Sequence, residues 1–187
     1  MTGLLIFLGV VVIVTLWAVS KYNLLVKLRN NRENAFADID VQLKQRHDLI
    51  PQLVSTVKGY AAHEKETLDM VIRARSGAIN AKSIDEKIVA ENALSSALAG
   101  LRVTVEAYPD LKANKNFMHL QEEISDIENK LAAVRRFFNS ATKELNTAIE
   151  MFPNNIIAGM FGFRKEMMFD LGAPERKTLE KAPEISF

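Results

Sequence analysis

The chain's histidines, His47, His63 and His119, are the first residues to test for metal or acid–base chemistry. His63-Glu64 opens like a zinc-protease helix, but no second histidine follows at the spacing that motif needs. On a continuous helix His47 and His63 are too far apart to share an ion. The expectation is exposed or partly buried imidazoles without a metal. Cysteine is absent, so neither thiolate catalysis nor a disulfide is available. There is no G-x-S-x-G elbow and no serine beside an evident base. No P-loop or G-x-G-x-x-G phosphate cradle occurs either. These patterns predict no enzyme, no cofactor and no evident small-molecule substrate.

Charged residues set on apolar stripes are more informative. Arg46 and Glu64 occupy seam positions in a run of apolar residues. A buried ion without a partner costs several kcal/mol, so Arg46 should pair with a carboxylate. Asp38, Asp40, Asp48, Glu106 and Asp110 are the expected candidates. Three readings stay open. These groups fix helix register, or Arg46 and Asp48 form an exposed interface for a second subunit or partner, or the charges belong to a ligand site. The stretch Glu106-Ala-Tyr-Pro-Asp110 carries a similar choice. Tyr108 and Pro109 could close a bundle end, or Glu106, Asp110, Lys112 and Lys115 could form a polar recognition loop.

The elements that must position these groups are helices. Phe36, Ile39, Leu43, Arg46, Ile50, Leu53, Val57, Tyr60, Glu64, Leu68, Val71 and Arg75 recur at steps of three and four. The phase survives Pro51, and no Gly or Asn nearby offers a turn. One helix over about residues 22–76, kinked near 47–51, is the prediction. The alternative is two antiparallel helices meeting at Pro51. Residues 76–83, SGAINAKS, form the first break. A second helix is predicted from Ile84 to Ala107, ended by Tyr108-Pro109. A third follows the stripe from Phe117 through Leu120, Ile124, Ile127, Leu131, Val134, Phe138, Ala141, Leu145 and Ile149 to Phe152, with Asn114 or Asn116 as its cap. Long amphipathic helices with short connections give an antiparallel bundle.

Residues Gly3–Ser20 differ from all of this, being apolar without a charge. Eighteen helical residues cover about 27 Å, close to the hydrocarbon thickness of a bilayer. Leu4, Leu5, Ile6, Phe7, Leu8, Val10, Val11, Val12, Ile13, Val14, Leu16 and Trp17 are the expected anchor. A cleaved signal peptide or a buried core helix are the competing readings. No basic residue precedes the run, and the helical pattern resumes directly after Lys21. Lys21, Lys27, Arg29 and Arg32 follow the run, which predicts an outside N-terminus and a cytoplasmic body in the cell membrane.

The expected organisation is an anchor over 1–21, a cytoplasmic bundle over 22–152, a Met/Phe-rich segment over 153–172 and a mobile tail over 173–187. In the third part Met160, Phe161, Phe163, Met167, Met168 and Phe169 have three possible settings: core, subunit interface or membrane surface. Overall, 24 basic against 23 acidic residues leave a net charge of +1, so no global basic signature points to nucleic acid.

Four stretches resemble the LemA family: YNLLVKLRN (22–30), DIDVQLKQRHDLIPQLVSTVKGYAAHE (38–64), EAYPDLKANKNF (106–117) and FNSATKELNTAIEMFPNNIIA (138–158). With the apolar N-terminus they cover nearly the whole chain in order. Phe36 stands where such proteins often carry Trp, and Leu145 where Tyr is common; both stay apolar. The resemblance implies a helical bundle behind a membrane anchor, with the N-terminus outside. It implies no established enzymatic activity. Relatives have been associated with surface-antigen presentation, membrane-protease surroundings and the shaping of magnetosome membranes. The function expected is a membrane-anchored, self-associating scaffold, with the lipid bilayer and further copies of itself as partners. An adaptor or regulator of a membrane protein is the runner-up.

Overall fold

The stripes become helices, but the chain reverses where no turn residue announces it. The computed structural model describes residues 1–169; the expected tail over 173–187 and the last residues of the Met/Phe segment lie outside them. The described residues hold six helices: α1 (Thr2–Tyr60), α2 (Lys65–Asn80), α3 (Ile84–Val105), α4 (Pro109–Lys112), α5 (Lys115–Glu150) and α6 (Asn154–Met160). The all-α class and the long apolar N-terminal helix are as predicted.

The first prediction to be corrected concerns α1. It passes through Pro51, which rules out a reversal there, yet it ends at Tyr60 and not near residue 76. Ala61–Glu64 form a turn, in which Glu64 N donates to Ala61 O at 3.1 Å. No side chain caps α2 at Glu64. The four-residue turn occupies about one helical turn's worth of chain, so the apolar phase resumes undisturbed at Leu68 and Val71. Periodicity reports which side is buried, not where the chain changes direction.

Contacts divide the described chain into two units. One comprises Asp38–Arg136 with Phe169. Its core holds Ile50, Leu53 and Val57 of α1, Leu68 and Val71 of α2, Leu94 and Leu101 of α3, and Phe117 and Leu120 of α5. Burying each large apolar side chain contributes about 1.5–3 kcal/mol. The connections are capped as the sequence allows. Ser83 Oγ accepts from Glu86 N at 3.2 Å while Glu86 Oε2 accepts from Ser83 N, a reciprocal capping box. Asn114 Oδ1 accepts from Phe117 N at 3.0 Å and starts α5.

The other unit comprises Met1–Ala37 with Phe137–Met168. Leu25 of α1 packs with Leu145, Ala148 and Ile149 of α5 and with Ile157 and Ala158 of α6. Phe36 and Phe138 meet edge to face at 5.5 Å. Within α1 an 18-residue window has a mean hydropathy of 2.6, long and apolar enough to cross a membrane, and none of it is buried.

Candidate functional site

In the Asp38–Arg136 unit, α1 carries Arg46 to full burial, and its guanidinium joins three helices. Nη2 pairs with Glu91 of α3, itself 1% exposed. Nη1 donates to Glu128 Oε1 of α5 at 2.6 Å and to Ser95 Oγ at 3.2 Å. His47 Nε2 lies 2.6 Å from the other Glu91 oxygen. Burial alone would raise the Glu91 carboxyl. The His47 hydrogen bond and the Arg46 charge outweigh it and hold the group below its usual 4.5. Arg135 stands at the edge of this cluster. Its Nε and Nη2 are buried without a hydrogen-bond partner, and its guanidinium carbon lies 5.0 Å from the Phe169 ring centroid. Burial, then repulsion from Arg46, lowers its pKa.

The carboxylates expected to pair with Arg46 do other things. Asp40 binds Lys87 at 2.7 Å and Glu106 binds Lys112 at 2.5 Å. Glu64 accepts from the Tyr108 hydroxyl at 2.9 Å, tying the α1–α2 turn to the end of α3. Asp48 is exposed and lines a groove with Asp40, Lys44, His47 and Lys87. Asp110 opens α4 and is exposed. Complete burial removes Arg46 from the exposed-interface reading. The sequence pattern did not single out Glu91 or Glu128, because an isolated glutamate on a helix looks solvated until its neighbour is known.

His63 lies in the Ala61–Glu64 turn, and His119 is exposed with Glu123 at 3.6 Å. Among the described residues no group of three or more His, Asp or Glu side chains is placed to hold a metal ion. The His47–Glu91 pair could relay a proton, but Glu91 is already committed to Arg46. The arrangement is therefore suited to locking helix positions more than to turnover.

In the unit containing the apolar run, Leu4–Leu8, Val10–Val14 and Leu16 are all exposed, and Trp17 is half-exposed. Lys27 and Arg29 are exposed and Lys21 is partly covered. Arg32 is different from the free flanking charge expected of it. It is buried, paired with Glu166 at 3.1 Å, bonded to Met167 O at 3.2 Å and stacked 5.0 Å from the Phe138 ring centroid. The Met/Phe segment splits between settings. Phe163 packs beside Tyr22, Phe169 is buried, while Met160, Phe161, Met167 and Met168 are exposed. Asn146 holds the returning chain through both its amide atoms, bonded to Glu166 N and O at 2.9 Å each.

Known proteins share much of this chain. Residues 35–187 match the model of the LemA family. Protein LemA of Metamycoplasma hominis is 28% identical over 160 residues, covering 84% of this chain and 73% of that protein. Magnetosome protein MamQ of Magnetospirillum gryphiswaldense is 22% identical over 175 residues, covering 80% of this chain and 64% of its own length. Magnetosome protein MamQ 2 of Paramagnetospirillum magneticum is 21% identical with the same coverage. The chain thus spans just under two thirds of these magnetosome relatives. None of these names is that of an enzyme. The family model covers α2 to α6 whole and the body-side part of α1, so the chain belongs to the LemA family.

Proposed function

We propose that the protein is a non-enzymatic scaffold, held to a membrane by the first part of α1, that self-associates and organises or shapes that membrane. One observation carries the reading: the 18-residue apolar window of α1 has no buried residue. Each exposed Leu, Ile or Phe would forgo about 1.5–3 kcal/mol in water, and a bilayer is the solvent that restores it. The exposed Lys27 and Arg29 after the run favour a cytoplasmic body and an outside N-terminus in the cell membrane. Two relatives are magnetosome proteins by name, which supports membrane organisation over catalysis. Anchoring concentrates copies on a surface, so weak contacts between them add. Mass measurement of the full-length particle in native-like lipid tests the reading. Particles of several copies are expected, and a strict monomer at high concentration would overturn it.

A second reading is an adaptor for another membrane protein, such as a protease or signalling receptor. The groove lined by Asp40, Lys44, His47, Asp48 and Lys87 favours it, because mixed charge around a cleft suits a specific polar partner. Crosslinking in membranes separates the two. A one-to-one complex with little self-assembly is the adaptor's signature.

A further inference from the structure

We infer that α6 and the residues on either side of it form a wedge that inserts into the membrane interface beside the anchor. This rests on the reading of α1 as a membrane span. From Met151 to Phe163 the chain has no ionisable residue. Ile157 and Ala158 turn inward and pack with Leu25, with Ala18, Tyr22 and Phe163 against the same cluster. The remaining large side chains face out: Met151, Phe152, Ile156, Met160 and Phe161 are between 52% and 78% exposed. Phe152 is the one member of the α5 stripe that ends up outside in this way. Five adjacent apolar side chains in the open are an anomaly for a water-facing surface.

Their height along α1 names the occupant. Ala18 lies in the last turn of the apolar run, and Tyr22 is the second residue beyond it. The Tyr22 and Phe161 rings stand 4.7 Å apart. The segment is therefore tied to α1 where the helix leaves the bilayer, and Val19 and Trp17 of that part of α1 are exposed as well. Charge returns immediately on both sides of it. Glu150 pairs with Lys165, and Arg164 is exposed beside them. A lysine and an arginine at that level suit phosphate headgroups, while the Met and Phe side chains suit the acyl boundary. A second copy of the chain would cover the same atoms, but nothing in a copy requires the patch to sit at the end of the span.

The cysteine-free chain allows a direct test. Full-length protein carrying Met160→Cys, Phe161→Cys, Lys143→Cys or Val11→Cys is labelled with a nitroxide. It is then reconstituted into phosphatidylcholine–phosphatidylglycerol vesicles. Collision with oxygen, which partitions into lipid, is compared with collision with a water-soluble nickel chelate. The oxygen-to-nickel ratio at residues 160 and 161 should exceed that at the exposed residue 143 several-fold, and stay below that at residue 11. Ratios at 160 and 161 equal to that at 143, with 11 in lipid, overturn the wedge and leave the anchor standing. Suppressed collision with both reagents, with spin–spin broadening, assigns the patch to a second copy and also overturns it. An aqueous residue 11 overturns the anchor reading itself. Unchanged helical circular dichroism certifies each variant, and the outward-facing Met160 site carries the test if Phe161→Cys does not fold.

Discussion

Arg75 Nε donates at 2.7 Å to the carbonyl oxygen of His47, the acceptor that Pro51 leaves without its helical N–H. A proline inside α1 thus creates a vacancy, and an arginine on α2 fills it. The bond spans 28 residues and sets the antiparallel register of α2 against the end of α1. It explains how α1 runs through Pro51 without exposing an unsatisfied backbone group. It also places a positive charge next to His47, which contacts Glu91.

Removing the donor should cost more when the proline is present. Arg75→Met leaves the His47 carbonyl without a partner, at about 1–3 kcal/mol. Pro51→Ala restores the helical N–H and should itself be neutral or stabilising, since proline costs about 3 kcal/mol inside a helix. In the Pro51→Ala background the cost of Arg75→Met should shrink. Urea unfolding of the four proteins measures the coupling; strictly additive energies would break the link.

Arg46 should be the most sensitive single polar position in the Asp38–Arg136 unit. Arg46→Met strands Glu91 in the core and is expected to cost about 3–5 kcal/mol. Arg46→Met with Glu91→Leu should recover most of that loss. Arg46→Lys should not, because a single ammonium lacks the guanidinium fork that bridges Glu91 and Glu128. Thermal unfolding ranks the variants, and an Arg46→Met protein as stable as its parent would show that the network carries no stability.

Stability should fall in acid through Glu91. Burial raises this carboxyl, but His47 and Arg46 overcome that and hold it below 4.5. Its protonation is therefore easier in the unfolded chain. The stabilisation is fully present above 4.5 and is lost as pH falls through the lower folded value. Glu91→Gln should flatten the unfolding free energy below that point and lower it at neutral pH. If the acid slope of the variant matches that of the parent, other carboxylates carry the dependence.

The junction between span and body should matter beyond attachment. α1 crosses Lys21 without a break, and Ala18 and Tyr22 pack on both sides of it. A flexible Gly/Ser insertion after Lys21 is expected to leave the protein in the membrane fraction while reducing the number of copies per particle in native-like lipid. Unchanged attachment and unchanged assembly together would reduce the apolar run to a simple tether.

The sequence by itself determined the all-helical class, the apolar run and a cap for α5 at Asn114 or Asn116, because these depend on local chemistry and on periodicity within one segment. It also determined that Arg46 lies on a buried stripe. Tertiary structure alone decided the rest. The reversal at Ala61–Glu64 has neither glycine nor proline within it, and its length keeps the stripe in phase, so no local signal marked it. Glu91 and Glu128 became partners of Arg46 only once α3 and α5 were laid beside α1. Arg32 changed from a flanking charge to a packed residue for the same reason. Phe152 sits on the predicted α5 stripe and Met160 and Phe161 had three settings open to them, yet packing left all three exposed, Phe161 with its ring against Tyr22. Hydrophobicity states that a side chain leaves water, but only the neighbouring helices state whether protein or lipid receives it.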